Sequence, residues 1–214
     1  MSATVMDVMT TRVIAVRANT DFKEIVAALR RYRVSACPVL DEADRVIGVV
    51  SEADLLYKEA DPELPEGLVR LSWRLTEHSK ATAWTADELM TAPAVTIRPG
   101  APVGEAARLM HDRQIKRLPV VDADGRLVGI VTRSDVLSVF ERPDADIWDE
   151  VVKVILGEEL KLDPDFFDVT VRSGIVTVSG LLAERKTALG LLARVRHAEG
   201  VVGIRDRLTY PAGE

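Results

Sequence analysis

An internal repeat at a constant offset of 81 residues restricts the folds that this 214-residue chain can adopt. The segment 48–56 returns as 129–137, with a glycine first and an aspartate near the end of both segments. Of the 48 positions from 9 to 56, 12 are identical to their counterparts, whereas unrelated segments of average composition would share roughly three. The chain is therefore built from two copies of one unit.

Each copy predicts the same order of elements: strand, helix, strand, turn, strand, helix. Apolar residues at helical spacing indicate a helix over 21–32. The residue before Pro38 or Pro119 is restricted to extended backbone, which favours strands at both places. A unit of about 55 residues cannot cover its own sheet, so the copies should pack on each other. The predicted strands are 13–16, 36–39 and 45–50, and then 117–121 and 126–131.

The composition narrows the class of protein. Apolar residues make up 47% of the chain and charged residues 29%, which is typical of a packed globular protein. The net charge of -6 argues against nucleic acid as the main partner, because nucleic-acid binding usually requires a basic surface. The single cysteine, Cys37, excludes an internal disulfide and fits a reducing compartment. Because there is neither a long apolar run nor a basic leader, we expect a cytoplasmic location.

Two motifs at predicted helix starts carry the main chemical signal, Ser51-x-x-Asp54 and Thr132-x-x-Asp135. A hydroxyl followed by an acid three residues later is typical of a capping box, which satisfies N–H groups at the start of a helix. The same groups suit a nucleotide, because a hydroxyl and a helix N-terminus bind phosphate and a carboxylate accepts hydrogen bonds from ribose. The two interpretations are compatible.

The pattern Gly-h-h-Ser/Thr-x-x-Asp after h-Pro-Val-h-Asp, where h is apolar, occurs twice and resembles tandem cystathionine-β-synthase (CBS) domains, also called a Bateman module. The resemblance implies an α+β fold in which two β-α-β-β-α repeats, 1–60 and 84–141, form a pseudo-twofold pair. A connector over 61–83 joins them. It also implies two clefts between the sheets, which in this family hold AMP, ADP, ATP or S-adenosylmethionine.

The resemblance assigns a candidate ligand site to each copy. In the first copy, phosphate and ribose contacts fall on Ser51 and Asp54, and the adenine-side wall consists of Ile14, Val34, Ser35 and Ala36. In the second copy, the corresponding contacts are Thr132 and Asp135, and the wall consists of Val95, Ile115, Lys116 and Arg117. The remaining predicted ligand-binding residues are Pro38, Pro119 and Arg133.

The two predicted clefts differ in charge. The second copy carries three cations, Lys116, Arg117 and Arg133, at positions where the first copy has Glu52 and two uncharged residues. We therefore expect the second cleft to bind the more highly phosphorylated ligand. The first cleft is then weaker, empty or suited to a less charged ligand. The alternative interpretation is that these cations are solvated surface charges.

A third unit, 146–212, predicts the order helix, strand, strand, helix, strand. Asp144 or Asp146 is the predicted cap of its first helix, and its second helix is expected near 183–197. The run Val-x-x-Gly-x-Val-Thr-h-Ser-Gly at 171–180, followed by Glu199-Gly200-Val201-Val202, resembles a BON domain. That family is associated with phospholipid surfaces and other envelope components.

Charge along the third unit is uneven. Residues 142–171 carry 3 basic and 9 acidic groups, whereas 172–207 carry 7 basic and 3 acidic groups. One face of the unit is therefore expected to be basic, which partly supports the membrane or protein contact that the BON resemblance implies. Because there is no basic amphipathic helix and no lipidation motif, we expect any membrane contact to be weak and peripheral. The alternative is an ordinary solvated surface.

Catalytic chemistry has little support in the sequence. His78, His111 and His197 are far apart and show no metal-ligand spacing. Cys37 precedes a proline in a predicted buried strand, so we expect it in the core and not as a nucleophile. There is no P-loop and no Gly-x-Gly-x-x-Gly pattern. We predict no catalytic residues, no metal and no required cofactor.

The sequence and its CBS resemblance together predict a non-enzymatic sensor in which a CBS pair binds an adenine nucleotide or another adenosyl ligand. The resemblance also implies a homodimer. The BON-like tail engages a partner or a surface. The alternative is a stress-response interaction scaffold whose CBS pair dimerises without nucleotide. Nucleotide binding separates the two hypotheses.

Overall fold

The structure, a computed structural model, describes residues 3–56 and 83–210. The predicted connector over 61–83 lies outside the described residues except for Ala83. The described residues divide into two compact units. The first lies within Met9–Ala101 and Arg108–Thr132, and the second within Met1–Val8, Pro102–Ala107 and Arg133–Glu214.

The described elements follow the predicted order in the first copy and the tail, apart from a short helix before each copy's first strand position and the reduction of the second copy's first strand to a bridge. The helices are α1 (Val5–Val8), α2 (Phe22–Tyr32), α3 (Glu52–Leu56), α4 (Ala86–Leu89), α5 (Val103–Asp112), α6 (Arg133–Leu137), α7 (Asp144–Asp149) and α8 (Arg185–His197). The strands are β1 (Val16–Arg17), β2 (Ala36–Leu40), β3 (Val46–Ser51), β4 (Arg117–Val121), β5 (Leu127–Thr132), β6 (Phe167–Arg172), β7 (Ile175–Leu181) and β8 (Gly203–Thr209).

The first copy forms a three-stranded sheet in the order β1-β2-β3, with β1 parallel and β3 antiparallel to β2. Helix α2 turns Ile25 and Leu29 into the core, as its apolar spacing predicts. The predicted strand over 13–16 is wrong in extent, because pairing with β2 begins only at Val16 and Ile14 packs against the core instead.

The second copy repeats this hairpin in the same register. Arg117 pairs with Thr132 as Ala36 pairs with Ser51, and each hairpin shifts register once, after Val39 or Val120. The counterpart of β1 is reduced to a single bridge between Ile97 and Val120. The strands β3 and β5 start and end one residue later than predicted, because Ser51 and Thr132 still pair within the sheet.

Within the first unit, the segment at the start of each copy, which contains Thr10 or Thr91 and is called here the leading segment, pairs with the hairpin of the other copy. The backbones of Thr10 and Ile130 exchange N–H···O hydrogen bonds, and those of Thr91 and Val49 do the same. Helix α4, at the start of the second copy, packs on the first copy and completes its core. That core consists of Val16, Ile25, Leu29, Cys37, Val39, Val50, Leu55, Ala83, Ala86 and Leu89.

The second unit contains the matching exchange. Thr4 bridges Pro102, and the Val103 N–H donates to the Ala3 carbonyl at 3.0 Å. The first unit holds the equivalent bridge, 81 residues offset, between Asp21 and Thr85. Each leading segment thus pairs with the other copy's sequence.

The tail of the second unit is a three-stranded sheet, β6-β7-β8, with one face packed on helices. β6 and β7 form a hairpin whose two turn residues, Ser173 and Gly174, both have positive φ. This geometry suits a two-residue hairpin, and the prediction of a turn at 172–174 is confirmed. The core consists of Ile147, Val151, Ile155, Leu156, Val169, Val176, Val178, Leu191, Val195 and Ala198.

Two details of the tail differ from the predictions. Pro143 precedes α7 as its N-cap, so neither Asp144 nor Asp146 caps it. The Asp144 carboxylate instead accepts hydrogen bonds from the N–H groups of Ser173 and Gly174 at 2.6 and 2.7 Å. After α7 the chain continues as a π-helix over Glu150–Glu159, a wider turn that a 3.6-residue period does not reveal.

Candidate functional site

A cavity of about 290 Å³ lies in the first unit, where the hairpin of the first copy faces the second copy's sequence. This volume is near the lower limit of about 300 Å³ for small-molecule sites. Its lining residues come from both copies: Ser35, Ala36, Val49, Ser51, Glu52, Ala53 and Asp54 from the first, and Thr91, Pro93, Ala94, Val95, Ile115, Lys116 and Arg117 from the second.

Asp54 is the buried acid of this cavity, with 7% of its surface exposed. Its Oδ2 accepts hydrogen bonds from the Ser51 N–H at 2.8 Å and from the Ser51 hydroxyl at 2.7 Å. The Thr91 hydroxyl lies 3.5 Å from Oδ1. The carboxylate half of the predicted capping box is therefore present, and it fixes Asp54 at the cavity wall.

Arg117 is the half-buried cation of the cavity. Its Nη2 donates to the Ser35 hydroxyl at 2.7 Å, and its Nη1 donates to the Ala36 carbonyl at 3.3 Å. Burial lowers the pKa of the guanidinium, and the nearby Cys37 and Glu52 oppose this shift. The guanidinium remains charged at neutral pH, so it brings a fixed positive charge to the wall.

Two of the three predicted cations belong to a different site from the one that the sequence analysis assigned. Lys116 and Arg117 line the cavity of Ser51 and Asp54, not a cavity of their own copy's Thr132 and Asp135. Arg117 reaches this cavity through its hydrogen bonds to the Ser35 hydroxyl and the Ala36 carbonyl of the first copy. The predicted ranking of the two clefts therefore loses two of the three cations on which it rested, and the binding of ligand to either cleft stays a prediction.

The structure brings together Ser35, Ala36, Ser51, Asp54, Val95, Ile115, Lys116 and Arg117 of the predicted ligand residues. Ile14 and Val34 pack against the core, and Pro38 and Pro119 pair within the hairpins at Val49 and Ile130. Thr132 ends β5, and Arg133 and Asp135 lie on α6. None of these seven residues lines the cavity.

The cavity also contains residues that the sequence analysis did not assign to a site. Thr91 belongs to Met90-Thr91, a landmark of the repeat that matches Met9-Thr10, and Pro93 and Ala94 come shortly after it. Glu52 and Ala53 lie inside the Ser-x-x-Asp motif. The repeat landmark Met90-Thr91 is therefore the sequence signal that could have pointed to these residues. It does not reveal that Thr91 pairs with Val49 of the first copy.

Cys37 lies in the core behind this wall, as predicted, with no exposed surface. Burial raises the pKa of its thiol to about 11, although the nearby Arg117 acts in the opposite direction. Among residues 3–56 and 83–210 there is no group of three or more histidine, cysteine or acidic side chains arranged to hold a metal. No helix in the same ranges is long and apolar enough to cross a membrane.

The sequence model of the CBS domain matches residues 5–61 and 86–142, which together exceed half of the chain. The chain belongs to the CBS domain family. The match occurs twice, so the repeat is a tandem CBS pair, and it ends before α7.

Relatives of this CBS pair occur in plants and archaea. CBSX2, a chloroplastic CBS domain-containing protein of Arabidopsis thaliana, is 32% identical over 147 residues, covering 63% of this chain and 62% of CBSX2. The uncharacterized protein MJ1426 of Methanocaldococcus jannaschii is 29% identical over 140 residues, covering 58% and 83%. The chain thus spans less than two thirds of CBSX2. A match to inosine-5'-monophosphate dehydrogenase of Aquifex aeolicus covers only 26% of that enzyme.

Solved structures show the same fold. The crystal structure of CBSX2 in complex with AMP aligns at a TM-score of 0.56 and 34% identity, covering 63% of this chain and 94% of that one. The CBS pair of protein MJ0100, in complex with 5'-methylthioadenosine and S-adenosyl-L-methionine, aligns at 0.52 and 25% identity, covering 64% and 99%.

Proposed function

We propose that this CBS pair is a non-enzymatic regulatory sensor that binds an adenosyl ligand in the cavity of Ser51 and Asp54. The candidate ligands are AMP, ADP, ATP and S-adenosylmethionine. The observation that carries the proposal is the composition of the cavity wall: apolar residues, one buried carboxylate and two cations converge from both copies. Such convergence of a few polar groups on an apolar pocket is typical of a small-molecule site.

Each part of an adenosyl ligand has a chemical counterpart in this cavity. Ala36, Val95 and Ile115 offer apolar surface to an adenine ring. Asp54 offers a carboxylate that accepts hydrogen bonds, which suits the hydroxyl groups of ribose. Lys116 and Arg117 offer donors to phosphate, and a guanidinium matches phosphate geometry with two parallel N–H groups.

The solved relatives support the class of ligand. CBSX2 is described in complex with AMP, and MJ0100 in complex with two adenosyl compounds. We assign no catalytic residue and no required cofactor to this chain. A homodimer and a cytoplasmic location complete the proposal.

The proposed role of the tail is weak peripheral contact with an anionic surface through a BON-like unit. The face of the β6-β7-β8 sheet opposite the core carries exposed Arg172, Arg205 and Arg207. Cosedimentation with vesicles containing anionic lipid tests this role, with neutral vesicles as the control. Loss of binding in Arg205→Ala/Arg207→Ala supports it, whereas no vesicle binding by the unaltered chain contradicts it.

The decisive experiment for the CBS pair is a thermal-shift panel of AMP, ADP, ATP and S-adenosylmethionine. A ligand at about 100 times its Kd adds roughly 2.7 kcal/mol, or on the order of 5 to 10 °C for a chain of this size. The shift should disappear in Asp54→Asn and persist in Asp112→Ala, an exposed acid outside the cavity. No shift with any ligand would instead favour the interaction scaffold.

A further inference from the structure

We infer that the Ser35 hydroxyl competes with the ligand's phosphate for Arg117, so that this contact sets how strongly the cavity favours phosphorylated over neutral adenosyl compounds. The inference rests on the proposed function and adds a regulatory contact to the same site. It makes Ser35 a residue that weakens the binding of a phosphorylated ligand.

The contact holds the Arg117 side chain at two points on the first copy. Nη2 donates to the Ser35 hydroxyl at 2.7 Å, and Nη1 donates to the Ala36 carbonyl at 3.3 Å. Ser35 is itself held, because its carbonyl accepts a hydrogen bond from the Glu52 N–H at 3.1 Å. The guanidinium therefore meets an acceptor whose backbone is anchored to the cavity wall.

The contact between Arg117 and Ser35 has no equivalent in which the two copies change roles. Arg117 occupies the position equivalent to Ala36, 81 residues earlier, and Lys116 the position equivalent to Ser35. The second copy thus supplies the cations and the first supplies the acceptors. Since the first copy has no cation at these positions, the reverse contact does not exist.

Competition follows from the chemistry of the acceptors. A phosphate oxygen is a stronger acceptor for a guanidinium N–H than a neutral hydroxyl is, so phosphate can displace Ser35. The hydroxyl is exposed and regains its hydrogen bonds from water once it is displaced. The binding of phosphate still loses the free energy of the Arg117–Ser35 hydrogen bond. Adenosine has no group that replaces this contact, so its binding leaves the contact in place.

The test compares AMP and adenosine by isothermal titration calorimetry. Ser35→Ala should bind AMP about three to ten times more tightly than the unaltered chain, since a typical hydrogen bond contributes about that factor. Its affinity for adenosine should not change. Ser35→Thr keeps the hydroxyl and should behave like the unaltered chain. Thr170→Ala, an exposed hydroxyl on β6, is the matched control.

Arg117→Met provides the second arm of the test. For each variant the ratio of AMP affinity to adenosine affinity is compared, because a general loss of stability affects both affinities and cancels in the ratio. This ratio should rise in Ser35→Ala and fall towards one in Arg117→Met. Equal or weaker AMP binding by Ser35→Ala, with AMP binding intact in the unaltered chain, overturns the competition and leaves the proposed function standing. If the unaltered, folded chain binds neither compound, the proposed function and the competition both fail.

Discussion

Met90 of the second copy covers Gly48 of the first so closely that a Cβ atom on Gly48 would lie 2.3 Å from the Met90 sulfur. The reciprocal pair has the same relationship: a Cβ atom on Gly129 would lie 2.5 Å from the Met9 sulfur. Both glycines and both methionines are landmarks of the repeat. The glycines therefore provide the space in which the leading segment of one copy packs on the hairpin of the other.

Gly48→Ala should lower the free energy of unfolding by about 1 to 3 kcal/mol, the usual cost of overpacking. The added methyl group would also lie within 3.0 Å of the Met90 Cβ, so a change in the end of that side chain does not relieve the contact. Urea denaturation followed by circular dichroism measures the effect.

Gly100→Ala is the matched control for this substitution, because a Cβ atom there meets nothing within 4 Å. In the double variant Gly48→Ala/Met90→Ala the two costs should not add, since Met90→Ala removes the sulfur and Cγ that overlap most closely and leaves only the 3.0 Å contact between the two Cβ atoms. Additive costs would show that Gly48 serves another purpose.

Much of the fold could be predicted because local patterns determine it. Prolines, Asp-rich turns and apolar spacing locate α2 and the β2-β3 and β4-β5 hairpins to within one or two residues. The π-helix and the pairing of Asp144 with the hairpin turn were missed. The π-helix departs from the 3.6-residue period from which helices are predicted, and the Asp144 contact joins residues 29 and 30 positions apart.

The candidate site could be predicted as a set of residues but not as an arrangement. The repeat relates equivalent positions, such as Ser51 to Thr132, and so favours sites built within one copy. The cavity instead joins Ser51 and Asp54 to Lys116 and Arg117 across the repeat. That arrangement involves contacts between the copies, such as Arg117 with Ser35 and Thr91 with Val49, which no property of either copy alone determines.

This shared cavity predicts thermodynamic coupling between the copies. Asp54→Asn alone and Lys116→Ala/Arg117→Ala together should each weaken AMP binding at least tenfold, through loss of a ribose contact and of phosphate donors. If both sets of residues contact one bound nucleotide, the combined variant should lose less than the sum of the two free energies. Titration calorimetry on the variants tests this. Strict additivity would contradict coupling and show that the cations and the carboxylate act on the nucleotide independently.

The buried thiol of Cys37 predicts a loss of stability in alkali. Its pKa rises from an ordinary 9.0 to about 11 on folding, so between these values the unfolded chain releases a proton that the folded chain retains. The stabilising contribution is complete below pH 9 and declines as the pH rises to about 11, at up to about 1.4 kcal/mol per pH unit.

Urea denaturation across this pH range checks the prediction against Cys37→Ala, which has no thiol to titrate. Between pH 9 and 11 the unaltered chain should lose unfolding free energy relative to Cys37→Ala. A difference that stays constant with pH would contradict the raised pKa.

Asp144 should stabilise the tail by holding the β6-β7 turn. Its carboxylate accepts from two successive backbone N–H groups at 2.6 and 2.7 Å, so Asp144→Ala leaves both without that acceptor. We expect a loss of about 1 to 3 kcal/mol and faster hydrogen exchange at Ser173 and Gly174. The exposed Asp146→Ala is the control. Unchanged exchange at the two turn amides would argue against the role of Asp144.

The contact of Arg117 with Ala36 also bears on how far two duplicated halves can remain alike. Because these residues are equivalent, a perfect duplicate would bring either two guanidinium groups or two methyl groups to the same junction. Two guanidinium groups would repel each other, and two methyl groups would offer nothing to an anion. Divergence at this one pair of positions therefore places one guanidinium, with no second one facing it, where Arg117 meets Ala36.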